Sequence, residues 1–410
     1  MTYSVDEGIA AFRRQRPLFG LNTGALGLDE YQDFTRATDQ NPVVGLNGLP
    51  FALLGLFGEA GSLLSELKKK QRDKDAYIAY RNSVVEEFGD CLWYLANTAQ
   101  RAGLELSVVA HRGTSNISDW SFKGVPNASS FLDLQETRQA SEPTTGDPVE
   151  KRLIGLAARV GHLLEDFSTG RIAENGDVLS ADLIDIFRAL ISAADEANIS
   201  IDEAARRNMS KVLSRWPVQY EWGGLYDSDF DEDEQLPREF DMVFREKDVA
   251  GKKYVIQQCN GIRIGDRLTD NKVEHDDYRF HDVFHLAYTA VLGWSPVVRA
   301  LFKAKRKSKP DVDENQDGAR AILIEEGIAT WIFNHGSRQH YFRNVNRLDY
   351  SLLKAVQELV RGYEVENRPL WQWERAILDG FRIFRDLQAF RRGRVSCDLV
   401  NHTITFSKGD

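Results

Sequence analysis

Cysteine is scarce in this chain: Cys91, Cys259 and Cys397 are all it has, far apart and odd in number. That argues against a disulfide framework and for a reducing compartment. Positive charge is short as well. With 52 Lys and Arg against 62 Asp and Glu, the formal net charge is −10, so no overall electrostatic pull toward nucleic acid or anionic lipid exists. The opening residues, MTYSVDEGIAAFRRQRP, lack the apolar core of a signal peptide. No apolar run reads as long enough to cross a bilayer, so the expectation is a cytoplasmic protein without a membrane partner. An acidic chain can still bind a polyanionic nucleotide when a metal ion bridges the two.

What is present is the composition of a globular protein, 42% apolar and 28% charged over 410 residues, enough for two or three domains of ordinary size. Residues 1–135 carry helical periodicity. A breaker-rich stretch, residues 136–148 ending in SEPTTGDP, reads as a linker. A second helical region covers 149–217. An acidic stretch at 218–237 contains DSDFDEDE (Asp227–Glu234) and reads as a solvated connector. In the last region, 238–410, Phe240–Arg245 and Tyr254–Ile264 read as strands about a Gly-Lys-Lys turn. Helical patterns follow over Glu274–Leu292, Ala319–Asn334 and Asp349–Phe390, and a strand pair over Val395–Phe406 closes the chain.

The two helical regions resemble each other. GLFGEAGSLLSEL (Gly55–Leu67) runs in step with GLAARVGHLLEDF (Gly155–Phe167), and Glu86–Ala110 runs in step with Ala181–Ala205, so that Asp90 meets Asp185 without a gap. The pattern suggests one helical-bundle unit used twice, as a pseudo-dimer. Chance likeness between amphipathic helices is the competing explanation.

The first copy is the more acidic. On a helix, Glu59, Ser62, Leu63 and Glu66 share a face, as do Glu87 and Asp90 on the next. Two such helices in contact would gather carboxylates, which repel unless a cation neutralises them; Mg²⁺, with oxygen ligands and waters left for phosphates, suits that role. The plain alternative is a set of surface carboxylates paired with Lys68–Lys70 and Arg72.

Three segments in order, LDEYQDFTRAT (Leu28–Thr38), ALLGLFGEAGSLLSELKKK (Ala52–Lys70) and EEFGDCLWYLANTA (Glu86–Ala99), resemble the MazG / all-α nucleoside triphosphate pyrophosphohydrolase superfamily over residues 27–112. The resemblance implies an all-helical fold, Mg²⁺ (or Mn²⁺) on an E-x-x-E and an E-x-x-D pair, and cleavage between the α and β phosphates. Glu59, Glu87 and Asp90 match those positions and would be the catalytic metal ligands. Ser62 stands where a second Glu belongs, which leaves Glu66, a turn on, to supply the carboxylate, or a site with fewer metals. In the second copy Arg159, His162, Asp182 and Asp185 occupy the corresponding places. Its tail, RRNMSKVLSRWP (Arg206–Pro217), resembles the closing segment of the family, whereas Arg112–Trp120 does not. A composite site follows, with Asn208, Lys211 and Arg215 near substrate phosphates or base. Simple capping of the last helix accounts for the same residues.

In the last region HDVFH places His281 and His285 at i and i+4, a spacing that grips a metal ion from one helix face. Asp282 sits between them, Glu325 or Glu326 could supply a third ligand, and Asp276 and Asp277 further oxygens. Two His and a carboxylate suit Zn²⁺ or Fe²⁺. Ordinary packing against Phe280 and Phe284 is the alternative. KAKRKSK (Lys303–Lys309) reads as a solvated loop rather than a nucleic-acid contact, and Trp371, Trp373, Phe381 and Phe384 read as core.

The expectation is therefore a mainly α chain: tandem MazG-like repeats, then a mostly helical α+β domain. The function expected is Mg²⁺-dependent conversion of NTP or dNTP to NMP and pyrophosphate. Base preference, a role in pool control or in phage defence, and homo-oligomerisation stay open. Two other functions stay open with it: a hydrolase acting through His281, His285 and Glu326 with the repeats as nucleotide sensor, and a nucleotide-binding regulator without turnover.

Overall fold

The computed structural model describes residues 24–43, 45–114, 128–135, 143–174 and 176–408. The opening segment, the linker expected at 136–148 as far as residue 142, and the Arg112–Trp120 stretch beyond 114 lie outside them. The chain divides into two compact units, Tyr3–Gln219 and one covering Tyr220–Asp410. It is mainly α, with a small antiparallel sheet in the second unit.

The first unit is all helical: α1 (Leu28–Thr38), α2 (Leu49–Asp73), α3 (Tyr80–Arg101), α4 (Leu106–Thr114), α5 (Asp147–Ser168), α6 (Gly176–Glu196) and α7 (Ile201–Arg215), with a single turn at Arg171–Glu174. In α2 the buried residues Leu49, Leu53, Leu56, Ala60, Leu63 and Leu67 recur every three to four positions, the stripe that lets one helix face seal against another. That face packs on α3, whose Val85, Phe88, Leu92 and Leu95 are fully buried. Helices α5 and α6 pack together, α5 also meets α2, and α7 lies along α3. Ser200 caps α7 by accepting a bond from the Glu203 amide, satisfying one of the donors a helix start leaves open.

One expectation needs correction here. The segment Gly45–Ala76 is long and apolar enough to cross a membrane by length and composition. Its apolar residues are spent partly on the helical core and partly on exposed positions such as Phe51, Leu54 and Phe57.

In the second unit five antiparallel strands, β1 (Glu239–Val249), β2 (Lys252–Cys259), β3 (Ile262–Leu268), β4 (Arg392–Asp398) and β5 (Thr403–Ser407), lie in the order β3-β2-β1-β4-β5. Phe240, Met242 and Phe244 alternate inward on the central strand. The helices are α8 (Asp282–Leu292), α9 (Pro296–Phe302), α10 (Pro310–Asn315), α11 (Ala319–Ser337), α12 (Tyr350–Leu359) and α13 (Leu370–Phe390). Every residue of α8 is buried, because α13 covers it on one side and β4 and β5 on another. Trp373, Phe381 and Phe384 are core, as expected, and Trp371 is nearly so.

Several boundaries differ from the sequence reading. Tyr254–Ile264 is two strands, not one, because Asn260 and Gly261 both take positive φ (50° and 77°) and turn the chain as a tight hairpin requires. The preceding turn is Ala250–Gly251, φ 53° and 78°, so Lys252 and Lys253 belong to β2. Helix α8 starts at Asp282 rather than Glu274, since Asp277 is left-handed at φ 68°. The pattern over Asp349–Phe390 splits into α12 and α13 at Gly362 (φ 84°) and Pro369.

Both charge runs expose most of their charges but are tethered through buried members. In the basic run Arg306 is 1% exposed and bonds bidentately to Asp317 (3.1 and 2.7 Å) and to Glu364 (both 2.8 Å). In the acidic stretch Asp227 is buried against Arg299 and Arg238, at 2.8 and 2.7 Å. Buried charge is sustained only by such pairing. The acidic stretch is thereby part of the second unit.

Candidate functional site

Helices α2 and α3 bring Glu59, Glu87 and Asp90 together. One carboxylate oxygen from each lies within 4.8 Å of the others. All three residues are half-buried. The local cause is helical phase: Glu87 and Asp90 share a face of α3, and the apolar stripe of α2 turns Glu59 onto it. Gly55 lets the two helices approach, since a Cβ there would stand 2.1 Å from the Tyr94 ring.

Helix α7 closes the other side. It can do so because residue 89 is glycine: a Cβ there would lie 2.5 Å from the Ala204 carbonyl oxygen and 2.9 Å from Asn208 Cβ. The approach carries Asn208 Nδ2 to 2.8 Å from Asp90 Oδ1. Lys211 Nζ donates to Asp90 Oδ2, and to Glu86 Oε1 at 3.2 Å. The buried Tyr31 hydroxyl donates to Asn208 Oδ1 at 2.8 Å, which orients the amide so that its NH₂ faces the carboxylate. A bidentate Arg81–Glu203 pair, 2.9 and 2.7 Å, ties the same two helices further along.

Three carboxylates with Glu86 beside them exceed the positive charge that Lys211 brings to this point. Burial and the Glu59 carboxyl push Glu87 up to about 8. Burial and Asp90 raise Glu59, and burial raises Asp90 despite Lys211. Carboxylates crowded together out of water favour the protonated form. The donors are hard oxygens, the set that Mg²⁺ or Mn²⁺ takes.

The remaining expected residues are placed differently. Glu66 is buried, but its oxygens go to Lys69 Nζ (2.5 Å) and to the Tyr77 hydroxyl, and it is not in the three-carboxylate group. Arg215 lies a turn beyond Lys211 with its guanidinium 4.5 Å from the Trp216 ring centre. A second grouping, His162, Asp166 and Asp182, also falls within 4.8 Å, with Arg171 ion-paired to Asp166 at 2.7 Å. Sequence reasoning passed over Tyr31, Glu86 and Gly89. The glycine carried the one usable signal, since a glycine inside an α-helix otherwise costs about 1 kcal/mol against alanine.

In the second unit His281, His285 and Glu326 form a third such group, also within 4.8 Å. Glu325 is apart from it, fully buried behind His285. Asp277 is engaged with Arg279 and Arg391. Asp276 lines a cavity of about 710 Å³ together with His281, Asp282 and Glu326.

Residues 222–410 match the MazG C-terminal domain family. The gene 37 protein of Mycobacterium phage L5 is 34% identical over 104 residues, 24% of this chain and 91% of that protein. The chain belongs to the MazG-like proteins. No solved structure matches it. For a MazG-like chain the family-level activity is of the nucleotide pyrophosphohydrolase kind, served by a divalent metal. The MazG C-terminal match begins within the acidic stretch, in keeping with the burial of Asp227.

Proposed function

We propose that this MazG-like chain hydrolyses nucleoside triphosphates, NTP or dNTP plus water giving NMP and pyrophosphate, with Mg²⁺ held by Glu59, Glu87 and Asp90. The observation that carries the reading is the convergence of three half-buried carboxylates within 4.8 Å beside Lys211. When bound, the ion supplies positive charge for the phosphate oxygens and polarises the bond to be cut. The rest falls to the chain. Asn208 and Lys211 hold Asp90 by both oxygens, so that it keeps one position as substrate arrives, which is what preorganisation requires. Lys211 acts as a clamp on the carboxylates Asp90 and Glu86 rather than as a free phosphate ligand. The site draws on α3 from the first helical pair and on α7 beyond the second, which supports a duplicated unit pooling one set of acids with one basic tail.

The test is a panel of NTPs and dNTPs incubated with the full chain and Mg²⁺ or Mn²⁺, with products separated by chromatography. The expected products are monophosphate and pyrophosphate in equal amounts, with turnover reduced at least about 10²-fold in Glu59→Gln and Glu87→Gln. Release of orthophosphate, or undiminished turnover in both variants, overturns the assignment.

A further inference from the structure

The second unit contains a buried imidazole nitrogen with no hydrogen-bond partner among the described residues. His285 is fully buried, and its Nδ1 stands 2.8 Å from Glu325 Oε1. Glu325 is itself fully buried and accepts from Ser295 Oγ (2.7 Å) and the Val297 amide (2.9 Å). A carboxylate so placed is an acceptor, which puts an imidazole proton on Nδ1 and makes Nε2 the nitrogen available to a metal. His281 repeats the arrangement: its Nδ1 faces the Tyr278 carbonyl oxygen at 2.9 Å, so its Nε2 is also the nitrogen available to a metal. Its ring is stacked on Tyr278, centres 4.2 Å apart and 7° from parallel.

Both Nε2 atoms face Glu326. Oε2 of that residue lies 3.5 Å from His285 Nε2 and 3.8 Å from His281 Nε2, while Asp282 Oδ1 lies 3.2 Å from the latter. His285 Nε2 is buried and has no hydrogen-bond partner among the described residues. A buried polar atom left in that state calls for a missing partner, and acceptors converging on one point call for a cation.

We propose that His281 Nε2, His285 Nε2 and the Glu326 carboxylate bind a borderline divalent transition metal of the Zn²⁺ or Fe²⁺ kind. Nitrogen donors distinguish this site from the oxygen-only group on α2 and α3. Glu325 is a positioning residue: it fixes the tautomer and orientation of His285 and does not touch the ion. Because His281, Asp282 and Glu326 line the cavity of about 710 Å³, the unfilled coordination positions face a space able to admit a small polar ligand. That is the layout of a reactive site rather than of a closed structural one. The inference stands apart from the pyrophosphohydrolase reading and survives its failure.

The test uses the full chain carrying Glu59→Gln and Glu87→Gln, so that the other carboxylate group does not contribute, stripped with chelator and titrated with Co²⁺. The expected result is one Co²⁺ per chain with a visible absorption band. In Glu326→Gln and His281→Gln, with the fold checked by circular dichroism, affinity falls at least about 100-fold and the band is lost. In Glu325→Gln affinity falls about 10–100-fold with the band retained. If His281→Gln does not fold, Glu326→Gln, whose side chain is 39% exposed, decides the question. No Co²⁺ uptake by the parent chain, or an unchanged band and affinity in Glu326→Gln, overturns the proposal.

Discussion

Replacing Gly89 with alanine would force α3 and α7 apart at the point where the candidate site is assembled. The added Cβ would sit 2.5 Å from the Ala204 carbonyl oxygen and 2.9 Å from Asn208 Cβ, and neither atom belongs to a side chain that can swing away. Restoring ordinary contact moves α7 outward by about 1 Å. The Asn208–Asp90 bond, now 2.8 Å, then lengthens past the range in which it counts as a hydrogen bond. Overpacking of this kind costs about 1–3 kcal/mol, and the helix gains back about 1 kcal/mol on exchanging glycine for alanine. The net loss of stability is therefore small, about 0–2 kcal/mol, a few degrees in Tm. The loss of function is larger, because a misplacement of about 1 Å is worth about 10²-fold in rate. Gly61→Ala is the control: on the exposed side of α2 a Cβ meets nothing within 4 Å, so this variant gains about 0.5–1 kcal/mol. Thermal melts and pyrophosphate release on both variants test the reasoning. Gly89→Ala as stabilising as Gly61→Ala, with full turnover, would refute it.

The pH dependence of the metal-free protein has a definite sign. Glu87 is raised to about 8, and Glu59 and Asp90 are raised too. The folded state therefore holds protons that the unfolded state releases, and stability falls as pH climbs from the ordinary carboxylate range to about 8. Denaturant melts in chelator across that range should show this fall, and saturating Mg²⁺ should flatten it; stability rising with pH would contradict the cluster. Glu66→Gln should leave Mn²⁺ affinity within about twofold while costing about 1–3 kcal/mol, because it breaks the pair with Lys69 and Tyr77 and not a metal contact. Loss of metal binding in that variant would restore Glu66 to the ligand set. Arg306→Ala should cost about 3–5 kcal/mol by removing the guanidinium from Glu364 and leaving the fully buried Asp317 with Arg299 at 3.7 Å as its remaining cation; a surface loop would register almost nothing in the same melt.

How legible was this from the sequence? The helices carrying the acids were readable because their apolar stripe is strict: Leu49, Leu53, Leu56, Ala60, Leu63 and Leu67 leave no other period open. Glu59, Glu87 and Asp90 could be named because helical spacing puts such residues on shared faces and the MazG resemblance matches those positions; the structure brings the three together. Glu66 shows the limit of that logic. Its spacing is right, but its partners, Lys69 and a tyrosine eleven positions on, are set by how the chain turns after α2. The same holds for Glu325 and Glu326, adjacent in sequence and pointing to opposite sides of His285, one as its support and the other toward its free nitrogen. Turns were misjudged where the left-handed residue was not glycine, at Ala250 and Asp277, and where Asn260–Gly261 went unused. Charge runs misled because composition cannot tell a solvated arginine from Arg306, whose acidic partners lie 11 and 58 positions away.

The most direct measurement is Mn²⁺ titration of the full chain followed by electron paramagnetic resonance, in a His281→Gln, Glu326→Gln background that silences the histidine site. The account predicts bound Mn²⁺ whose affinity drops at least about tenfold in each of Glu59→Gln, Glu87→Gln and Asp90→Asn. Equal Mn²⁺ affinity in the background chain and in all three variants would contradict it.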